Sequence, residues 1–180
     1  MEKDKEIKKE EKKTSKVPKF IKEILPYIVI IIIVLFVKTY IISPIQVNGE
    51  SMDSTLKSGD IMILNKLQFK RNGVERFDIV VIKNEGTHII KRIIGLPGDT
   101  VQMEENILYI NGEKVDEPYL DEGTVTDDFK EEIPEGCYFV LGDNREKSLD
   151  STELGCFKEE SIEGLAKLTI FPFNRIGNKY

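Results

Sequence analysis

The segment from residue 24 to residue 42 is the most apolar stretch of the chain, and it limits most strongly how the chain can fold. Its 19 residues include one charged side chain, Lys38. As a helix, such a segment is about 28 Å long, close to the hydrocarbon thickness of a bilayer. It has no polar face, and Pro26 falls in its first turn, where a helix tolerates proline. We therefore predict a transmembrane helix over residues 24–42.

Two other interpretations of this segment stay open at this level. A buried strand or helix of a soluble core can also be apolar on all sides. A cleaved signal peptide has a similar apolar region, but no Ala-x-Ala-like site follows this one. The nine lysines directly upstream favour a membrane span over a buried core segment, and the continuation KTYIISPIQV favours a signal-anchor that is not cleaved.

Charge is distributed unevenly around the apolar segment. The formal net charge is −6, but residues 1–23 carry nine lysines against six acids, whereas residues 43–180 carry 16 basic against 26 acidic side chains. The positive-inside rule then predicts a cytoplasmic tether over 1–23 and an extracytoplasmic domain over 43–180. An acidic domain does not favour nucleic-acid binding. With one histidine and two cysteines, nearly every His/Cys metal cage is excluded, and no cofactor or metal is predicted.

Short segments rich in Ile and Val, separated by Gly, Asn, Asp and Pro, predict a mainly β domain over 43–180. One hairpin turns at Asn111-Gly112, and a second turns more loosely over 84–86. Residues 116–135 are interpreted as a long surface connection, and a helix is predicted at 159–165. The predicted strands are IQVNG, DIMILNKL, FDIVVIK, THIIKRIIG, NILYING and CYFVLG.

Ser51 and Lys91 are the first two candidates for chemistry. Ser51 follows a glycine-containing turn at the end of a strand, although such serines usually bond their own backbone. Strand alternation places Lys91 between Ile89 and Ile93, an apolar setting that disfavours the ammonium form. The alternative is that Lys91 is an ordinary strand lysine whose ammonium reaches solvent. Lys83, the other candidate base, lies beside a turn and is expected to be solvated in this way.

His88 and the loop at 142–155 complete the candidates. Alternation turns His88 away from Lys91, so we interpret it as a structural residue. The loop GDNREKSLDSTELG follows an apolar strand, and its small polar side chains could orient a neighbouring amine. Arg145 and Asp150 are a plausible ion pair within it, and Ser148 or Ser151 is a plausible partner for the amine. An ordinary charged turn is the alternative.

Four stretches, in this order and behind a signal-anchor, resemble the type I signal peptidase family, also called leader peptidases. LexA-type repressors use a serine and a lysine on a related β-scaffold, but a membrane span is not expected in them. The resemblance implies an all-β catalytic domain of the signal peptidase/LexA-like type behind one transmembrane helix. The matching stretches are VNGESMDSTLKSGD at 47–60, FDIVVIK at 77–83, IIKRIIGLPGDTV at 89–101 and YFVLGDNREKSLDSTELG at 138–155.

The resemblance implies a serine endopeptidase in which Ser51 attacks the scissile carbonyl and neutral Lys91 acts as general base. The backbone N–H of Ser51 would donate to the oxyanion. Ser148 would fix the Lys91 amine, Met52 would pack beside the nucleophile, and Arg145 and Asp150 would hold the loop.

The substrates implied are the signal peptides of secreted preproteins, cut after small residues next to the lipid bilayer. Their extended residues would add as a strand, with Ile45 and Val47 as pocket walls. An oligomeric state is not predicted.

Three positions depart from the family pattern, and they leave a catalytically weakened binding or regulatory protein as the alternative function. Ser54 replaces the usual proline, Gly49 removes a possible second oxyanion donor, and Thr152 replaces an arginine. Cys137 and Cys156 flank the third cluster, and whether they pair stays open.

Overall fold

The structure is a computed structural model that describes residues 19–178 of the chain. Contacts divide the chain into two compact units, with the boundary between Phe36 and Val37. Residues 1–18 lie outside the described range, so most of the predicted tether over 1–23 is untested.

Helix α1 spans Lys19–Tyr40, and its apolar side chains are exposed along its length. The segment Phe20–Tyr40 is long and apolar enough to cross a membrane. The helix therefore begins five residues before the predicted start and ends two residues before the predicted end. Pro26 consequently lies inside the helix and not in its first turn.

The second unit, Val37–Tyr180, is built mainly of antiparallel strands. Two short helices accompany them, α2 over Lys66–Asn72 and α3 over Ser151–Leu154. The strands are β1 Ile42–Gln46, β2 Ile61–Asn65, β3 Ile79–Asn84, β4 Thr87–Gly95, β5 Thr100–Glu104, β6 Ile107–Ile110, β7 Glu113–Val115, β8 Phe129–Glu132, β9 Cys137–Leu141, β10 Phe157–Lys158, β11 Ile162–Phe171 and β12 Gly177–Asn178.

These strands form two sheets. The larger has the order β1-β2-β11-β3-β4-β9-β10, with β12 beside β11, and the smaller has the order β7-β6-β5-β8. One apolar cluster joins the two sheets, with Ile94 and Phe139 from the larger and Val101 and Leu108 from the smaller. A second cluster packs β1, β2 and β3 against Met52 and the residues that follow it. The predicted mainly β domain is confirmed.

The Asn111-Gly112 hairpin is confirmed: both residues have positive φ, as the turn between β6 and β7 requires. The hairpin between β3 and β4 is also confirmed, but its turn is tighter than predicted. Asn84 pairs with Thr87, so the turn consists of Glu85 and Gly86 alone.

Two predictions about the C-terminal half are wrong. The connection 116–135 contains a strand, β8, which pairs with β5. Residues 159–165 form a short 3-10 turn followed by the start of β11, not a helix. Ile162 and Leu165 are both buried because a register shift near Gly164 interrupts the alternation. Their spacing of three residues therefore imitates a helical period.

Candidate active site

Ser51 lies in the turn that connects β1 to β2. The turn is closed by backbone hydrogen bonds from Thr55 and Leu56 to the Met52 carbonyl, at 2.9 and 2.6 Å. Met52 is buried in the cluster beneath β1 and β2, which holds the turn against the core. The Ser51 carbonyl accepts a hydrogen bond from the Asn144 backbone N–H at 3.0 Å. The turn is thereby connected to the loop that follows β9.

Lys91 lies in β4 with 2% of its surface exposed. Its Nζ donates to Ser148 Oγ at 2.8 Å, and Ser148 Oγ donates to Asp150 Oδ2 at 2.5 Å. Burial lowers the pKa of the Lys91 ammonium, against the opposite effect of the negative charges of Asp150 and Asp143. The pKa of Lys91 therefore lies below that of a free lysine.

Asp150 caps the N-terminus of α3 and receives four hydrogen bonds. Besides Ser148, the Gly142 backbone N–H donates to it at 2.9 Å, and Thr152 donates through its backbone N–H at 3.2 Å and its hydroxyl at 3.0 Å. Thr152, the residue that replaces the usual arginine, thus still supports this carboxylate.

Ser51 and Lys91 line one cavity of about 450 Å³, together with Gly49 and Leu149. A second cavity of about 470 Å³ lies between β1 and β4 and shares Thr87 with the first. Its wall includes Ile45 of β1 together with Ile90 of β4.

Val47 follows β1 and does not line either of these two cavities. Its side chain is buried in the cluster with Met52, and Ile45, two residues earlier on the same face, packs against that cluster. Its predicted role as a pocket wall stays a prediction.

Arg92 and Asp143 form a buried ion pair that sequence reasoning missed. Arg92 is 0% and the Asp143 side chain 1% exposed, with Nε and Nη2 of Arg92 donating to the carboxylate at 2.8 and 2.6 Å. Thr55 Oγ1 donates to the same carboxylate at 2.5 Å. Arg92 directly follows Lys91, and Asp143 lies in the loop that carries Ser148, so both stand in motifs quoted above. Their place beside the candidate residues was the sequence signal that could have identified them.

Arg145 and Asp150 do not form the predicted ion pair, so this prediction is wrong. Arg145 pairs with Glu117 of the connection after β7, a residue that the sequence did not single out. Asp150 faces inward to Ser148 because it caps α3. The two side chains leave the loop in different directions.

The remaining candidates are placed as follows. Cys137 and Cys156 form a disulfide with an S–S distance of 2.03 Å, and it closes the loop that carries Ser148 and Asp150. His88 is exposed and pairs with Glu163 at 3.2 Å, away from Lys91. Within residues 19–178, no cluster of three or more His, Cys, Asp or Glu side chains could hold a metal ion.

A serine and a buried lysine in one cleft of an antiparallel β-domain are typical of a class of serine peptidases that use lysine in place of histidine. The profile of the family described as "Signal peptidase, peptidase S26" matches residues 20–171. The chain therefore belongs to the signal peptidase family, peptidase S26.

Two relatives from Bacillus agree with this assignment. Signal peptidase I of Bacillus amyloliquefaciens is 41% identical over 181 residues, covering 94% of this chain and 98% of that protein. Signal peptidase I S of Bacillus subtilis strain 168 is 42% identical, covering 79% of this chain and 84% of that protein. The crystal structure of a signal peptidase I from Enterococcus faecalis V583 has a TM-score of 0.49 and 38% identity, covering 52% of this chain and 97% of that chain. The chain is a signal peptidase hydrolase, and its apolar helix α1 fits a single-pass membrane protein.

Proposed function

We propose that the chain cleaves signal peptides from secreted preproteins with Ser51 as nucleophile and Lys91 as general base. One observation carries the proposal: Lys91 is a buried amine in the cavity that Ser51 lines. A free lysine, with a pKa of about 10.4, is almost entirely protonated at neutral pH. Because burial lowers the pKa of Lys91, a larger fraction of it can accept a proton.

The hydrogen bond from Lys91 to Ser148 orients the amine for this role. One N–H of Lys91 is directed to Ser148 Oγ, and Ser148 is held in turn by Asp150. This fixes the rotation of the amine, so that its lone pair can be directed at Ser51. Ser148 and Asp150 are therefore positioning residues.

The reaction then proceeds in two stages. Ser51 Oγ attacks the scissile carbonyl carbon while its proton moves to Lys91 Nζ. The intermediate collapses to an acyl-enzyme as the C–N bond breaks and the Lys91 ammonium returns the proton to the leaving amine. Lys91 then takes a proton from a water molecule that attacks the ester and passes it to Ser51 Oγ as the ester C–O bond breaks. The signal peptide leaves with a carboxylic acid, which ionises by losing its proton to solvent. The backbone N–H of Ser51 would stabilise the oxyanion.

Two open strand edges support recognition of an extended peptide. Strand β1 ends the order of the larger sheet, and the Thr87–Lys91 part of β4 has one edge without β9, because β9 pairs with β4 only from Arg92 onward. Strands β1 and β4 line the cavity that contains Ile45 and Ile90. A substrate strand inserted between them would place small side chains against these isoleucines, which is consistent with cleavage after small residues.

We propose that the lysine-rich residues before helix α1 are a cytoplasmic tether, that the segment Phe20–Tyr40 is the membrane anchor and that residues 43–180 are an extracytoplasmic peptidase domain. The basic charge of 1–23 and the acidic charge of 43–180 support this orientation. The anchor would hold the peptidase next to the bilayer in which the apolar part of its substrate is embedded.

The dyad is tested with Ser51→Ala and Lys91→Ala, assayed on a purified preprotein with the cut position read by mass spectrometry. Each variant should lose roughly 10⁴-fold or more of kcat, because both groups take part in one proton transfer. The matched controls are Ser54→Ala, in the same turn, and Lys83→Ala, on the neighbouring strand, and both should retain activity.

Retained cleavage by Lys91→Ala would contradict the dyad. An inactive wild type that still binds signal peptides would favour the alternative, a weakened signal-peptidase-like binding protein. Cleavage by wild type and not by Ser51→Ala excludes that alternative.

A further inference from the structure

Arg145 is a buried cation that connects two separate parts of the domain. Its side chain is 2% exposed. Its Nε donates to the Gly142 carbonyl at 3.0 Å, within its own loop. Its two terminal nitrogens reach the connection 116–128 between β7 and β8, where they meet the Glu117 carboxylate, whose side chain is 10% exposed, and Thr126 Oγ1 at 2.9 Å.

Gly142, the residue that Arg145 holds, lies between the residues proposed for catalysis. Its carbonyl accepts from Arg145, while its N–H donates to Asp150 at 2.9 Å. A Cβ placed on Gly142 would stand 2.2 Å from Ser148 Oγ and 2.5 Å from the Ser51 carbonyl oxygen. A small movement of this residue would therefore displace Ser148, Asp150 or Ser51.

Glu117 fixes Arg145 from outside the loop. Its Oε1 also accepts a hydrogen bond from the Tyr119 hydroxyl at 2.6 Å. The Tyr119 ring lies 3.9 Å from the guanidinium carbon of Arg92, which is paired with Asp143. The connection 116–128 thus holds the loop through Glu117 and covers the buried ion pair through Tyr119.

We propose that Glu117 is a positioning residue of the peptidase: through Arg145 and Gly142 it holds Ser148 and Asp150 where they orient Lys91. This inference rests on the proposed Ser51–Lys91 dyad. The connection 116–128, which the sequence suggests is a plain acidic surface loop, becomes part of the catalytic support.

The test compares Glu117→Gln with Glu122→Gln on a preprotein substrate. Glu122 lies on the same connection, is exposed and carries the same charge. Glu117→Gln should lower kcat by about 10- to 100-fold, because small misplacements of catalytic groups are costly, while KM changes less than about threefold. Glu122→Gln should match wild type in both constants.

A double-mutant comparison separates positioning from general destabilisation. Because Glu117 acts through Ser148, Glu117→Gln should have little further effect on kcat in a Ser148→Ala background. Melting curves establish that the assays run below the unfolding transition. If Glu117→Gln melts too low, Tyr119→Phe, which removes only the hydroxyl that donates to Glu117, takes its place and should lower kcat in the same background-dependent way.

Three outcomes would overturn the inference: kcat within twofold of wild type, a loss of kcat that is fully additive with Ser148→Ala, or an equal loss in Glu122→Gln. Ser51→Ala is assayed alongside. If it cleaves, the proposed function itself is wrong. If it does not cleave and Glu117→Gln behaves as wild type, only the positioning role is wrong.

Discussion

The pKa of Lys91 depends on a balance between burial of the side chain and the charge of nearby carboxylates. Burial favours the neutral amine, whereas Asp150 and Asp143 favour the ammonium. The lowered pKa allows Lys91 to act as a base, while the two carboxylates limit how far the pKa falls. The pH dependence of cleavage follows from this arrangement.

For the wild type, we expect kcat/KM to fall as the pH is lowered through the pKa of Lys91, because the ammonium cannot accept the Ser51 proton. The decline should occur below the ordinary lysine pKa of about 10.4. Asp150→Asn removes a negative charge that favours the ammonium, so the decline should move to lower pH while kcat falls. The matched control is Asp121→Asn, an exposed residue whose pH profile should equal that of wild type. A decline that stays in place in Asp150→Asn would contradict the assignment of Lys91.

Asp143→Asn should destabilise the fold by about 3–5 kcal/mol, because the buried Arg92 would lose its carboxylate partner. Thermal or denaturant unfolding in detergent measures this. Replacing both residues at once by apolar side chains of similar volume should recover part of the loss, since no unpaired charge is then left buried. An Asp143→Asn variant as stable as wild type would show that the ion pair contributes little.

At the scale of elements, the loop between β9 and β10 carries most of the supporting groups. It is closed at its base by the Cys137–Cys156 disulfide and held at its tip by the Glu117–Arg145 pair. Gly142 is its most crowded position because it lies between Ser148 and the Ser51 carbonyl. A side chain at that position would have to displace one of them.

Gly142→Ala should therefore lower kcat by about 100-fold or more, since its Cβ would displace catalytic groups by a large part of an ångström. Gly112→Ala is the matched control. Gly112 has a positive φ of 82°, which Gly142 does not, but a Cβ on Gly112 meets no heavy atom within 4 Å. The control should lose stability, by about 1 kcal/mol, and keep its kcat. Equal kcat in the two variants would contradict the crowding at Gly142.

Strand identity was largely predictable from sequence, because alternation and turn residues are local properties. The error at 159–165 came from a bulge, which changes the spacing of buried residues without leaving a local signal. Strand β8 was missed because Phe129–Glu132 contains three charged residues that face solvent. Its membership of the smaller sheet depends on its pairing with β5.

At the scale of the whole molecule, the charge asymmetry around the anchor leads to a topology prediction. The lysine-rich region should be inaccessible to protease added outside intact cells, while the acidic domain should be digested. Western blots against tags at each terminus measure this. A variant in which the lysines of 1–23 are replaced by glutamine provides the comparison and should insert in mixed orientations. Digestion of the N-terminal tag in wild-type cells would reverse the proposed orientation.

The sequence by itself determined the apolar helix, the mainly β domain and the choice of Ser51, Lys91, Ser148 and Asp150 as candidate residues, because these are expressed in local patterns and contiguous motifs. Only the tertiary structure decided that Arg145 pairs with Glu117, that Arg92 pairs with Asp143 and that Val47 is buried in the core. The physical reason is that a buried charge takes whichever opposite charge the packing of strands brings within hydrogen-bond distance. Glu117 lies 28 residues before Arg145 in the chain and becomes its neighbour only when both sheets have formed.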